Sequence, residues 1–191
     1  ARALDAAEKY NSPDREIEAS RLLGVIYTAE RQPEMANRYF QSCVDKARSL
    51  PDSAVRLRSL MNSSVLNFLA DGKPDRSLLL MRESEKMSKP GNVPPRIYLN
   101  MAGVYIGAGD YSQAREYADK ASAGVMSRDE KAQYHKILAM IKIENDSNAE
   151  AIPEVKAALQ IYDTLANDPY AMEMNAALAY IYSQLGDDSN A

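Results

Sequence analysis

A large apolar side chain followed at once by a small one recurs along this chain at long, nearly even intervals: Leu23-Gly24, Met101-Ala102, Leu138-Ala139 and Leu178-Ala179, with Ser64-Val65 as a weaker copy. The small member falls at Gly24, Val65, Ala102, Ala139 and Ala179, separated by 41, 37, 37 and 40 residues. Packed helices approach closely only where the facing side chains are small. A pattern that returns at roughly 20–50 residues marks an array of like units, each of which buries its apolar face only against its neighbours.

The segments around these positions are helical in character. They combine Ala, Leu, Met, Tyr, Glu and Lys with apolar residues three and four apart, while Gly and Pro collect between them. No run of alternating Val, Ile and Thr suggests a strand. Ser12 with Pro13 reads as a cap and first helical residue, Ser127 to Glu130 has capping-box spacing, and Asp168-Pro169 opens the final unit. Pro33, Pro74 and Pro153 are expected near the starts of second helices, where a missing N–H costs little. Ser88 to Pro95 has the strongest breaker content and is the expected hinge within a single domain.

The clearest unit runs from Ile97 to Ala121. It carries Tyr98, then Met101-Ala102, then Tyr105, a turn at Gly109-Asp110, and Ala114, Ala118 and Ala121. This resembles the tetratricopeptide repeat, whose first helix has an aromatic, Leu-Gly and Tyr, and whose second has Ala, an aromatic and Ala. Ala118 stands where the second aromatic is usual. Leu23, Gly24, Tyr27, Ala36, Phe40 and Cys43 match in an earlier unit; His135, Leu138-Ala139, Lys142, Ala151, Val155 and Ala158 match in a later one. The weakest copy holds Met61, Ser64-Val65, Phe68, Ser77, Met81 and Ser84, and the last, with Asn175, Leu178-Ala179 and Tyr182, is only begun. The irregular, longer period is similar to that of repeat arrays in bacterial regulators.

The resemblance implies an all-α fold, an α-solenoid of antiparallel helical hairpins wound as a right-handed superhelix. The expected layout over 1–191 is the second helix of a truncated repeat at 1–12, repeats at 14–50, 52–90, 94–126 and 127–167, and a begun repeat at 168–191.

Composition removes several kinds of chemistry. With 23 Lys plus Arg against 27 Asp plus Glu and no concentrated run of either sign, no nucleic-acid partner is expected through this segment. Apolar stretches such as Leu78 to Met81 are far too short to span a membrane. The single cysteine, Cys43, excludes an intrachain disulfide and sits where a buried, inert thiol is expected. The single histidine, His135, falls at a packing position. No metal, phosphate-loop or dinucleotide motif is present, so no catalytic residue, cofactor or metal is expected and the chain is read as no enzyme. The alternative that remains is an enzyme centred on His135.

The resemblance places peptide or helix binding on the concave side, lined by first helices. The stripe one helical step from the packing residues supplies the candidates: Arg21, Val25, Asn62, Leu66, Leu69, Arg96, Leu99, Ile106, Lys136, Met140 and Tyr180. A carboxylate clamp for acidic chaperone tails would want Asn where Val25 and Leu66 stand. The expected role is a protein- or peptide-binding scaffold within a longer regulatory or assembly protein. The alternative is self-association, as a homodimer, through the uncapped last repeat at Leu178, Tyr182 and Leu185. The chain opens without methionine on Ala1-Arg2-Ala3-Leu4, which reads as a cut. A cytoplasmic location is slightly favoured, and the start that reads as a cut leaves a periplasmic or secreted one open through a removed leader.

Overall fold

The structure, a computed structural model, describes residues 12–50, 72–88, 91–164 and 169–186. These residues form eight α-helices and no strand: α1 Pro13–Ala29, α2 Pro33–Ser49, α3 Pro74–Met87, α4 Pro95–Gly107, α5 Tyr111–Ser122, α6 Arg128–Glu144, α7 Asn148–Tyr162 and α8 Pro169–Gln184. The fold class is all-α and of the solenoid type. Chain contacts divide into two compact units, Ala1–Val93 and Pro94–Ala191, which part within the Pro/Gly-rich stretch.

Each hairpin pairs a first helix with the second that follows it: α1 with α2, α4 with α5, and α6 with α7. In the second unit α6 also packs on α4 and α5, and α8 packs on α7. Small residues permit this closeness. Ala36, Ala102, Ala114, Ala139 and Ala151 are 0% exposed, and a Cβ added at buried Gly24 would collide with the Phe40 ring. The residue sixteen positions beyond each small one adjusts in size, as Phe40 after Gly24, Ala118 after Ala102 and Val155 after Ala139, all 0% exposed. At Gly24 the missing Cβ makes the room that the Phe40 ring fills.

The hairpin turns repeat as strictly as the crossings. Arg31, Gly109 and Asp146 adopt φ values of 57°, 77° and 57°. Each lies seven residues beyond its small residue, and so do Gly72 and Gly186, with φ of 67° and 71°. The N–H groups of Gln32, Asp110 and Ser147 reach back to the carbonyls of Tyr27, Tyr105 and Lys142 at 2.9 Å in all three cases. Those of Arg31, Gly109 and Asp146 reach Thr28, Ile106 and Ile143 at 2.9–3.1 Å. This nested pair is the Schellman closure of a helix, which needs one left-handed residue and otherwise leaves carbonyls unsatisfied.

Three local expectations change. Pro33 and Pro74 are first helical residues, but Pro153 is inside α7, past the first turn. There it removes a ladder hydrogen bond. Ser12 stands at the N-cap of α1 without a side-chain bond, whereas Ser127 forms the full capping box, accepting from the Glu130 N–H at 3.3 Å while the Ser127 N–H donates to the Glu130 carboxylate at 2.8 Å. Ala179 is exposed: α8 packs on α7 and meets α6 through Lys136, and no further helix follows among the described residues.

Candidate functional site

The described candidate groove residues lie on first helices, and two of the three cations among them are already spoken for by the next first helix. Arg96 on α4 pairs with Asp129 at 2.5 Å and Glu130 at 3.5 Å on and beside the start of α6. Lys136 on α6 pairs with Glu173 of α8 at 2.5 Å and lies 4.3 Å from the Tyr170 ring centre. Between these pairs the Gln133 amide donates to Asn100 Oδ1 at 3.2 Å. A polar ladder therefore ties α4 to α6 and α6 to α8. Its members are partly exposed, so each rung contributes little stability by itself and acts mainly on register. Sequence reasoning missed Asp129, Glu130 and Glu173. The usable signal was opposite charge about one repeat away, at separations of 33, 34 and 37 residues.

Leu99 is a correction. It is 0% exposed and presents nothing to a partner. It falls between Arg96 and Asn100, the two residues of α4 held by α6, so its part of the helix is covered on both flanks. Farther along the same stripe the surface opens. Gly103, Ile106 and Met140 are half-buried, Tyr180 is 51% exposed, and a Cβ placed on Gly103 would have no atom within 4 Å.

In the first unit, Arg21 is bound by Glu18 of its own helix at 2.6 Å. Burial works against the charge of Arg21, but the Glu18 hydrogen bond, the larger effect, raises its pKa. Val25 is 38% exposed beside exposed Leu22 and Ile26. Asn62, Leu66 and Leu69 lie outside the described residues. An open cleft of about 670 Å³ on α2 is bordered by Arg38, Lys46 and Arg76 but also by Glu34 and Asp45. Lys46 is bonded to buried Glu16 of α1, so this border selects neither charge.

His135 belongs to a different surface. Its Nδ1 is 2.7 Å from Glu154 of α7, and Lys142 Nζ donates to the same carboxylate at 2.8 Å. Burial acts to raise the Glu154 pKa, but the hydrogen bonds from Lys142 and His135 together outweigh it and hold the carboxyl below its usual value. The histidine thus joins α6 to α7. Cys43 is buried, donates to the Ile17 carbonyl at 3.4 Å, and is pushed up to about 12 by burial, so its thiolate is scarce at neutral pH. Among the described residues no three His, Cys, Asp or Glu gather as metal ligands, and no helix is long and apolar enough to cross a membrane.

Residues 95–122, which are helices α4 and α5, match the family model of the Tetratricopeptide repeat. No curated protein matches the chain in sequence. Among solved structures, BtubC (BKLC) from P. vanneervenii is similar with a TM-score of 0.74 and 18% identity, covering 100% of this chain and 83% of that one. MamA AMB-1 aligns at a TM-score of 0.46 and 17% identity, over 92% of this chain and 86% of that one. The likeness to BtubC is one of fold. Helical repeats of this kind typically serve as scaffolds for protein interaction and not as catalysts.

Proposed function

We propose that this chain is a protein- or peptide-binding scaffold, the recognition part of a regulatory or assembly protein. Its contact surface is the side of α4, α6 and α8 that bears Gly103, Ile106, Met140 and Tyr180. The observation that carries the reading is the apolar stripe of partly exposed residues on first helices that the Arg96, Asn100 and Lys136 contacts keep in line. Grouped apolar surface with a polar rim is the usual composition of a contact site. Because the rim cations are paired with the chain's own acids, apolar anchors supply the affinity and the rim excludes an acidic tail unless it displaces Asp129 or Glu173.

Selection from a displayed peptide library tests this. Peptides enriched by the chain are expected to carry large apolar anchors, and Ile106→Asp or Met140→Asp should weaken them at least about tenfold, or 1.4 kcal/mol. Arg115→Glu, at an exposed position of α5, should leave them bound. Equal binding by all three variants would overturn the assignment.

A further inference from the structure

Gly103 is a glycine that the fold does not require. It lies inside α4 with ordinary helical backbone, and no atom stands within 4 Å of the place a Cβ would take. Gly24 and Gly124 differ, since a Cβ there would press on Phe40 or Pro95, and Gly109 holds a left-handed turn. Within a helix glycine is the costliest residue after proline, and at Gly103 no crossing or turn offsets that cost. The residue after the small one of each repeat is otherwise large and apolar, as Val25, Leu66, Met140 and Tyr180; Gly103 interrupts the stripe. It is nevertheless half-buried, so its neighbours rise around an empty place. Asn100 and Ile106 stand three residues to either side on the same face of α4. Across the seam Asn100 meets Gln133, 33 residues on. That offset sets Gly103 level with Lys136 and Ile106 beside Met140. Lys136 sends its ammonium away to Glu173 and the Tyr170 ring, leaving its apolar stem as a wall.

Resting on the reading of this face as a peptide-binding surface, we propose that the notch over Gly103 is its specificity pocket. It takes one bulky apolar side chain, leucine or phenylalanine, from an extended peptide that carries Lys or Arg about three residues away. The missing side chain of α4 makes room for one brought by the partner, between Ile106, Met140 and the Lys136 stem. The cation follows from the acids at the end of the notch. Asp129 and Glu130 share the single guanidinium of Arg96, and Asp129 is 55% exposed, so one carboxylate there is open to a basic group. Arg96 and Gly103 are seven residues apart on α4, roughly 10 Å along the axis, which an extended peptide spans in about three residues. A net charge of -4 on the chain also favours approach of a basic peptide.

The pocket predicts opposite effects on folding and on binding. Gly103→Ala should raise the unfolding temperature by roughly 2–4 °C and weaken the peptides that the intact chain selects from a displayed library. Gly103→Leu, which puts into the notch the side chain that the peptide would bring, should unfold no lower than wild type and bind those peptides at least about tenfold more weakly. A second selection on Gly103→Leu should replace leucine or phenylalanine at the anchor by alanine, serine or glycine. A lower unfolding temperature for Gly103→Ala would give the glycine a structural role and overturn the proposal. Undiminished binding by Gly103→Leu, or selected peptides with no preference for Lys or Arg about three residues from the anchor, would overturn it as well. In any of those cases, loss of binding by Ile106→Asp and Met140→Asp leaves the broader reading of the face standing. Peptides indifferent to Ile106 and Met140 would remove both.

Discussion

The α4/α5 and α6/α7 hairpins share a turn and a crossing but not a seam. In the first, Tyr105 stacks on Tyr117, twelve residues on, with ring centres 5.4 Å apart and planes 12° from parallel. In the second, the same two places hold Lys142 and Glu154, joined at 2.8 Å. The α1/α2 hairpin repeats the aromatic solution with Tyr27 and Tyr39, 5.4 Å apart. What the repeat conserves is therefore the spacing between two facing backbones. An offset stack and a hydrogen-bonded ion pair both span it, but one buries apolar area while the other sets charge attraction against desolvation. The residues matched by the family model are those of an aromatic seam.

Truncating each seam should separate the two kinds of contact. Tyr117 is 9% exposed and also meets the Tyr98 ring at 6.2 Å and Lys120 at 4.3 Å. Tyr117→Ala is expected to cost about 3 kcal/mol, from lost burial and the cavity left behind, measured as a shift in the urea midpoint. The loss should be the same in low and high salt. A loss under about 1 kcal/mol would mean that the stack is ornamental and that the alanine crossing alone holds the hairpin.

Glu154→Gln is expected to cost less, about 1 kcal/mol at neutral pH, because the group is partly exposed and glutamine keeps some hydrogen bonding. Its signature is in pH. The folded carboxyl is held below its unfolded value, so its contribution is complete above that value and disappears as pH falls through the folded one. The gap between wild type and Glu154→Gln should therefore narrow once pH falls into the ordinary glutamate range, about 4.3, and close below it, while the gap between wild type and Tyr117→Ala persists. A pH-independent Glu154→Gln gap would show that Lys142 and His135 leave the carboxyl unperturbed.

The same contrast explains what could be read in advance. Gly24, Ala102 and Ala139 were legible because a close crossing imposes a steric limit on one residue at a time, and that limit recurs in every unit. Ala179 follows the same pattern yet is exposed, because exposure depends on a neighbour and not on the residue. Leu99 was misplaced on the groove for the related reason that α4 has helices on two sides. The pairing of Arg96 and Lys136 with Asp129 and Glu173 escaped notice because charge partners one repeat away leave no local periodicity. His135 and Lys142 showed no joint role, since what unites them is a carboxylate on the following helix.

The turns give the smallest expected effect and isolate backbone from side chain. All three described hairpin turns close through one left-handed residue, but only α4/α5 uses glycine there; Arg31 and Asp146 hold φ of 57° in the others. A side chain in this conformation costs about 1 kcal/mol, less for aspartate, whose short polar group tolerates it. Arg31→Gly should therefore stabilise by up to about 0.5 kcal/mol, since relief of the strain outweighs the extra freedom of glycine in the unfolded chain. Asp146→Gly should gain less, and Gly109→Ala should lose about 1 kcal/mol, although a Cβ at Gly109 meets no atom within 4 Å. Because space is open at that turn, a loss there can come only from the backbone angle. If Arg31→Gly destabilised instead, the arginine side chain would have to be holding the turn through contacts that outweigh its strain, and the three turns would no longer be equivalent.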